Sequence, residues 1–140
     1  MARYVLDASV LAALYLEDPA SDPSAAAVAR IDDEELHAPD FVLLEVANVL
    51  WKRVRRGQIQ AGAALAAIED TPIASLRLHP TEQLVPQALA LALAHGFTAY
   101  DALYVALATR VGGTVVTNDG GMRQRGIEAG LPVVTARDLA

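Results

Sequence analysis

Short apolar runs alternate along this chain with stretches in which alanine, leucine and valine return every three or four residues. Arg3 to Leu6 reads as a short buried strand, and beyond Asp7-Ala-Ser9 the residues Val10, Leu11, Ala13 and Leu14 recur at helical spacing. Pro19 to Pro23 carries turn residues, Ser24 to Ile31 is helical, Asp32 to Glu35 forms an acidic loop, and Leu36 to Ala38 is a second strand. Pro39-Asp40 opens a helix whose apolar pattern runs from Phe41 to Val54 and stops at Arg55-Arg56-Gly57. Further helices are expected over Ala61 to Glu69, Thr81 to His95 and Thr98 to Val111, with strands at Ser75 to Leu78, Thr114 to Val116 and Pro132 to Val134. A short helix after Gly121 precedes the last strand. Strands that alternate with helices imply a three-layer α/β/α sandwich around a central parallel sheet, joined by right-handed crossovers. Residues 1–140 read as one domain, with no repeat or linker.

Composition narrows the chemistry. The chain is 54% hydrophobic and 20% charged, which suits a folded globule and not a disordered tail. It has no cysteine, so disulfides, thiolate zinc sites and thiol nucleophiles drop out together. His37, His79 and His95 are too dispersed for a metal-binding pair, and any metal site must be built from oxygen. The apolar run before Asp7 is too short for a signal peptide, and Leu84 to Phe97 is too short to span a bilayer and reads as a core helix. A cytoplasmic protein without a membrane partner is expected. The net charge of −6 argues against indiscriminate coating of nucleic acid and leaves a local RNA-binding patch open.

Four acids stand where such a fold could use them. Ligands of open parallel sheets bind outside the carboxyl ends of the strands, where Asp7 and Asp119 fall. Asp7 could equally be a helix N-cap, with Ser9 as a rival, and Asp119 an Asx-turn residue ahead of Gly120-Gly121. Glu45 lies in a helix that is apolar on nearly every side, so its carboxylate needs a cation or a partner such as Arg110. Asn48 shares its face one turn on. Asp101 can complete a capping box begun by Thr98 and still point into a cleft. Gathered together, the four would repel one another, and a divalent cation would relieve the repulsion. Hard oxygen ligands select magnesium or manganese, which implies a phosphodiester substrate.

Val5-Leu6-Asp7-Ala-Ser9, Pro39 through Glu45-Val-Ala-Asn48, Tyr100-Asp101-Ala-Leu-Tyr104 and Val116-Thr117-Asn-Asp119 occur in that order across essentially the whole chain. In these motifs the sequence resembles the PIN-domain nucleases, and within them the VapC toxins of toxin–antitoxin modules. The resemblance implies that Asp7, Glu45, Asp101 and Asp119 hold magnesium or manganese, with Ser9 and Thr117 as hydroxyl neighbours and Asn48 behind them. It implies hydrolysis of RNA by a metal-bound water with no side-chain nucleophile. A VapB-like antitoxin and a homodimeric assembly are carried over in the same way. Gly120-Gly121 replaces bulkier polar residues of many relatives, which would loosen the loop of Asp119.

Lys52-Arg53-Val-Arg55-Arg56 is the one dense basic run; it reads either as a dipole-stabilised helix end or as an RNA or antitoxin contact. Arg123 and Arg125 compete for that role. Two other classes remain for comparison. A PIN-like module that binds RNA or antitoxin without turnover would not need all four acids. An aspartyl-phosphate phosphatase would want a second aspartate where Ser9 stands, and no nucleotide-binding glycine motif is present.

Overall fold

A computed structural model describes residues 1–14, 16 and 21–140. Five parallel strands form one sheet: β1 (Arg3–Leu6), β2 (Glu35–Pro39), β3 (Arg77–His79), β4 (Thr114–Thr117) and β5 (Val133–Thr135), in the order β3-β2-β1-β4-β5. Eight helices are described: α1 (Ala8–Ala13), α2 (Ser21–Ile31), α3 (Val42–Arg55), α4 (Ala61–Asp70), α5 (Thr81–His95), α6 (Ala99–Val111), α7 (Gly120–Ala129) and α8 (Ala136–Leu139). Successive strand residues point to opposite faces, yet Val5 and Leu6 are both buried, as are Val115 and Val116. Both faces of the sheet are therefore covered, as its near-continuous apolar strands require.

The chain builds β2 and β3 on one side of β1, then crosses to build β4 and β5 on the other. Tyr4 is in register with Leu36 on one flank and Thr114 on the other. The order reverses between β1 and β4, so a crevice opens beyond their carboxyl ends. The loops that follow these two strands begin with Asp7 and run from Asn118 to Asp119. Topology alone thus sets two of the acids at the same end of the sheet, after neighbouring strands.

Several local expectations are corrected. Pro39 closes β2 instead of opening a helix, and α3 begins at Val42 after Phe41 as N-cap. The third strand is shifted to Arg77–His79 because a 3-10 turn occupies Ile73–Ser75. Glu35 belongs to β2, where Arg3 and Arg77 neutralise it, and not to the acidic loop. Helix α2 starts at Ser21, inside the expected turn, whose residues Pro19 and Ala20 lie outside the described residues. The α5 segment is not a core helix throughout: Leu84 and Ala88 are buried, but Val85, Leu89 and Leu93 are exposed. In α6 the run from Ala102 to Ala108 is buried throughout. Among the described residues no single helix is long and apolar enough to cross a membrane.

Gly112 ends α6 in the left-handed conformation at φ 69°, and Gly113 then passes directly over β1. A β-carbon at Gly113 would lie 2.7 Å from the Arg3 carbonyl oxygen, a backbone atom of the sheet that cannot swing aside. Gly113→Ala should therefore cost about 1–3 kcal/mol of stability, as overpacking does. Urea denaturation reads this directly, and an unchanged midpoint would contradict the close approach.

Candidate active site

Asp7 leaves β1 in extended conformation and caps α1: its Oδ1 accepts the Val10 N–H at 3.2 Å and the Ser9 hydroxyl at 2.5 Å. Its own N–H donates to the Val116 carbonyl, which ties the cap to β4. The side chain is only 6% exposed. Burial pushes its carboxyl up to about 6, against the pull of hydrogen bonds from Ser9, Thr117 and Val10, and the charge of Asp101 raises it further. The N-cap and ligand readings of Asp7 are thus compatible, and Ser9 supports the cap without replacing it.

The loop after β4 is stitched to the same place. Ser9 Oγ accepts the Asn118 N–H at 2.9 Å, and the Asn118 side-chain amide donates to the Ser9 carbonyl and to buried Ser24. Thr117 Oγ1 accepts the Asp119 N–H at 3.0 Å. Asp119 is the exposed N-cap of α7, and its Oδ1 accepts the N–H groups of Gly121 and Met122. Gly120 and Gly121 are accordingly the first turn of a capped helix and not a loosened loop.

Glu45 sits in the first turn of α3, which is amphipathic and not apolar-buried all round: Val42, Val46 and Leu50 face the core, while Leu44 and Trp51 are exposed. Its partner is Tyr104, whose hydroxyl donates to Glu45 Oε1 at 2.6 Å. Arg110 is engaged elsewhere, donating to the Gln83 carbonyl. Partial burial raises the Glu45 carboxyl, and Asp101 adds to the rise, while Tyr104 and Lys52 oppose it. Burial likewise raises Asp101, with the charge of Asp119 adding to it and Thr98 and Arg125 acting against it. Thr98 Oγ1 accepts the Asp101 N–H as N-cap of α6, the first half of the expected box. Asp101 is the hub, since Asp7, Glu45 and Asp119 each interact electrostatically with it.

A cleft of about 620 Å³ beside the hub is lined by Glu45, Asn48, Lys52, Thr98 and Asp101, with Phe41, Leu44 and Tyr100 on its wall. A second hollow adjoins Ser9, Asn118, Asp119 and Arg53. The basic run divides accordingly: Lys52 and Arg53 face these hollows, Arg55 lies over the Trp51 ring at 5.2 Å, and Arg56 is exposed at the end of α3. Arg123 is bound to Asp138 at 2.7 Å, whereas the charge of Arg125 reaches Asp101.

Among the described residues no three acidic or histidine side chains converge tightly enough to enclose an ion. The donor set nonetheless fits a hard divalent cation. Three carboxyls are raised by burial and mutual repulsion, and separated oxygens suit magnesium, which keeps waters of its own between itself and its ligands. Asp7, Glu45, Asp101 and Asp119 are the residues that could hold it. The histidines require a correction. His37 and His79, far apart in sequence, meet across β2 and β3 with Nδ1 and Nε2 2.8 Å apart, and Glu35 bonds the far side of His37. Parallel strand pairing brings them together.

Tyr104 and Asn118 were not singled out from sequence. Tyr104 carried a usable signal, being a phenol one helical turn beyond Asp101 in an otherwise aliphatic buried segment. For Asn118 the only signal was its place between Thr117 and Asp119 after a strand.

Fold and site together define a parallel α/β protein with a carboxylate-lined crevice at its topological switch point. The PIN domain model matches residues 4–128. The chain belongs to the PIN-domain family, in the branch that carries the VapC name. It is 41% identical to Ribonuclease VapC3 of Pyrobaculum aerophilum over 119 residues, covering 84% of this chain and 89% of that protein. It is 32% identical to Ribonuclease VapC12 of Mycobacterium tuberculosis over 120 residues, covering 86% of this chain and 89% of that one. Among solved structures, VapC20 of Mycobacterium tuberculosis, described as a Sarcin-Ricin loop cleaving toxin, superposes with a TM-score of 0.65 at 21% identity, over 88% of this chain and 95% of that one. VapBC2 from Rickettsia felis, solved with a promoter DNA fragment, gives 0.65 at 14% identity over 95% and 98%. At such identities the structural likeness establishes the fold.

The raised Asp7 carboxyl has a consequence for stability. Its folded value of about 6 exceeds the ordinary 3.8, so the folded state holds the proton more tightly and loses stability as pH rises between the two. The penalty at pH 7.5 without divalent ions is about 3 kcal/mol. Asp7→Asn keeps a capping side chain without the charge, and should stabilise the chelator-treated protein at pH 7.5 by up to about that amount and far less at pH 4. Urea melts at the two pH values check this; a less stable variant at pH 7.5 would contradict the burial argument.

Proposed function

We propose that this chain is a divalent-cation-dependent endoribonuclease, the toxin of a VapB–VapC type pair, working as a single PIN-like unit over residues 1–140 in the cytoplasm. The observation that carries this reading is the set of four carboxylates centred on Asp101, three of them raised by burial and repulsion. The two relatives named as VapC ribonucleases support RNA as the substrate. A VapB-like antitoxin partner and a homodimer belong to the same reading; neighbours of this fold include VapBC2 from Rickettsia felis.

Held by Asp7, Glu45, Asp101 and Asp119, a magnesium or manganese ion would activate water and neutralise charge on the scissile phosphate. The chain's own residues prepare that site. Ser9 and Thr117 fix the Asp7 carboxylate by donating hydroxyl hydrogens to it, and Asn118 fixes Ser9. Tyr104 holds Glu45 in one orientation from a buried position. Burial, with the charge of its carboxylate partner Glu45 adding to it, raises the Tyr104 hydroxyl far above the ordinary phenol range, so it stays a hydrogen-bond donor at working pH. Lys52, Arg53 and Arg125 flank the acids and can draw the RNA backbone toward them in an otherwise acidic protein. Asn48 lines the same cleft with a neutral amide that can bond the substrate. No side-chain nucleophile is required.

Purified protein should cleave RNA in the presence of magnesium or manganese, and EDTA or Asp101→Asn should abolish the cleavage. Equal activity in that variant would sink the assignment. Growth arrest on induction, relieved by Asp7→Asn, reads the toxin role; harmless expression of an active protein would count against it. Tyr104→Phe removes the donor that orients Glu45 while keeping the ring, so it should lower cation affinity or activity about 10- to 100-fold with the fold intact. A variant that matches the parent in a manganese titration would show that the hydrogen bond is immaterial.

A further inference from the structure

The wall of the cleft beside Glu45 and Asp101 is aromatic and has no role in holding the acids. Tyr100, immediately before Asp101, is 64% exposed. Its ring lies beside that of Phe41 in an offset stack, with centroids 6.3 Å apart and planes 27° from parallel. Phe41 in turn contacts Tyr104 at 5.9 Å, and Tyr104 bonds Glu45, so three rings run from the surface to a carboxylate of the site. Phe41 is held in place: its N–H donates to Thr81 Oγ1, and the Thr81 hydroxyl donates to Asp40 at 2.7 Å. Tyr100 therefore has a rigid backing. Leu44, 72% exposed, extends the apolar wall, while Asn48 and Lys52 add an amide and an ammonium to the same cleft.

An exposed, backed aromatic ring beside an amide and a cation matches the parts of an unpaired nucleotide: a flat base to stack, edge groups to hydrogen-bond, and a phosphate to pair. Bases inside a duplex are already stacked and cannot meet such a wall. We propose that Tyr100, backed by Phe41, is the stacking platform for one unpaired base of the RNA next to the scissile phosphate, with Asn48 at the base edge and Lys52 on the adjoining phosphate. Tyr100 is then a specificity-determining residue, and the enzyme requires an unstacked nucleotide at that position. The inference rests on the ribonuclease reading for the identity of the strand but not on turnover.

The probe is a set of short single-stranded RNAs, each carrying 2-aminopurine at one position, bound in magnesium to the Asp101→Asn protein. Fluorescence should be quenched at one position only. Adding Tyr100→Ala should remove that quench and weaken binding about tenfold or more, while Tyr100→Phe and Tyr100→Trp should retain both. In the otherwise native enzyme Tyr100→Ala should raise KM by a similar factor and change kcat less. An abasic nucleotide at the quenched position should cause the same loss, and the two changes together should cost little more than either. Unchanged affinity, KM and quench pattern in a folded Tyr100→Ala protein would overturn the proposal. Loss of antitoxin binding with all RNA parameters intact would overturn it too, by making the wall a protein contact. RNA that is bound and quenched at one position but never cut by the native-sequence protein would leave the stacking platform of Tyr100 standing and sink the ribonuclease reading.

Discussion

Taking the carboxylate of Asp7 out of water costs several kcal/mol unless hydrogen bonds or positive charge replace its hydration, and the centre of this fold is arranged around that cost. Asp7 lies at the carboxyl end of the middle strand and is almost wholly buried. Two hydroxyls and one backbone N–H meet part of the demand. The rest is unmet, because the charge of Asp101, which acts on it, has the same sign. A protein selected only for stability would place an asparagine or an aliphatic residue here. Retaining the acid makes sense if something absent from the chain supplies the positive charge.

The supporting structure follows from that constraint. Tyr104 is buried in α6 so that a second carboxylate, Glu45, can be held half out of water in a fixed orientation. Asn118 joins the β4 loop to α1 and α2 through Ser9 and Ser24, which brings Asp119 toward Asp101 without burying it. The acids are thereby graded, from Asp7 inside to Asp119 at the surface. A hydrated divalent ion is suited to such an arrangement, since its own waters span the gaps that no cage of side chains closes.

Much of this was legible in the sequence. The alternation of strands and helices gave the three-layer architecture, and the position of Asp7 and Asp119 after strands placed them at one crevice by topology alone. Helix boundaries were less legible where a proline or a turn has two uses: Pro39 ends a strand whose partner supplies its own hydrogen bonds, and Ile73–Ser75 coils before β3 begins. The exposed sides of α3 and α5 look like core in the sequence because an alanine-rich, leucine-rich pattern does not say which stripe meets the sheet. Contacts between distant residues were beyond reach. Tyr104 with Glu45 and His37 with His79 depend on how α3 meets α6 and on the register of β2 with β3. The motif resemblance supplied the grouping of the four acids, and the electrostatic coupling through Asp101 supplies its physical meaning.

If the repulsion among these acids is the feature that a cation relieves, the cation should stabilise the folded chain in proportion to their ionisation. The direct measurement is the melting temperature of the native-sequence protein with and without manganese, at pH 7.5 and at pH 5. The account predicts a rise on adding manganese at pH 7.5 that shrinks at pH 5, below the raised value of about 6 at which the Asp7 carboxyl gives up its proton. A melting temperature indifferent to manganese at pH 7.5, or raised equally at both pH values, would contradict it.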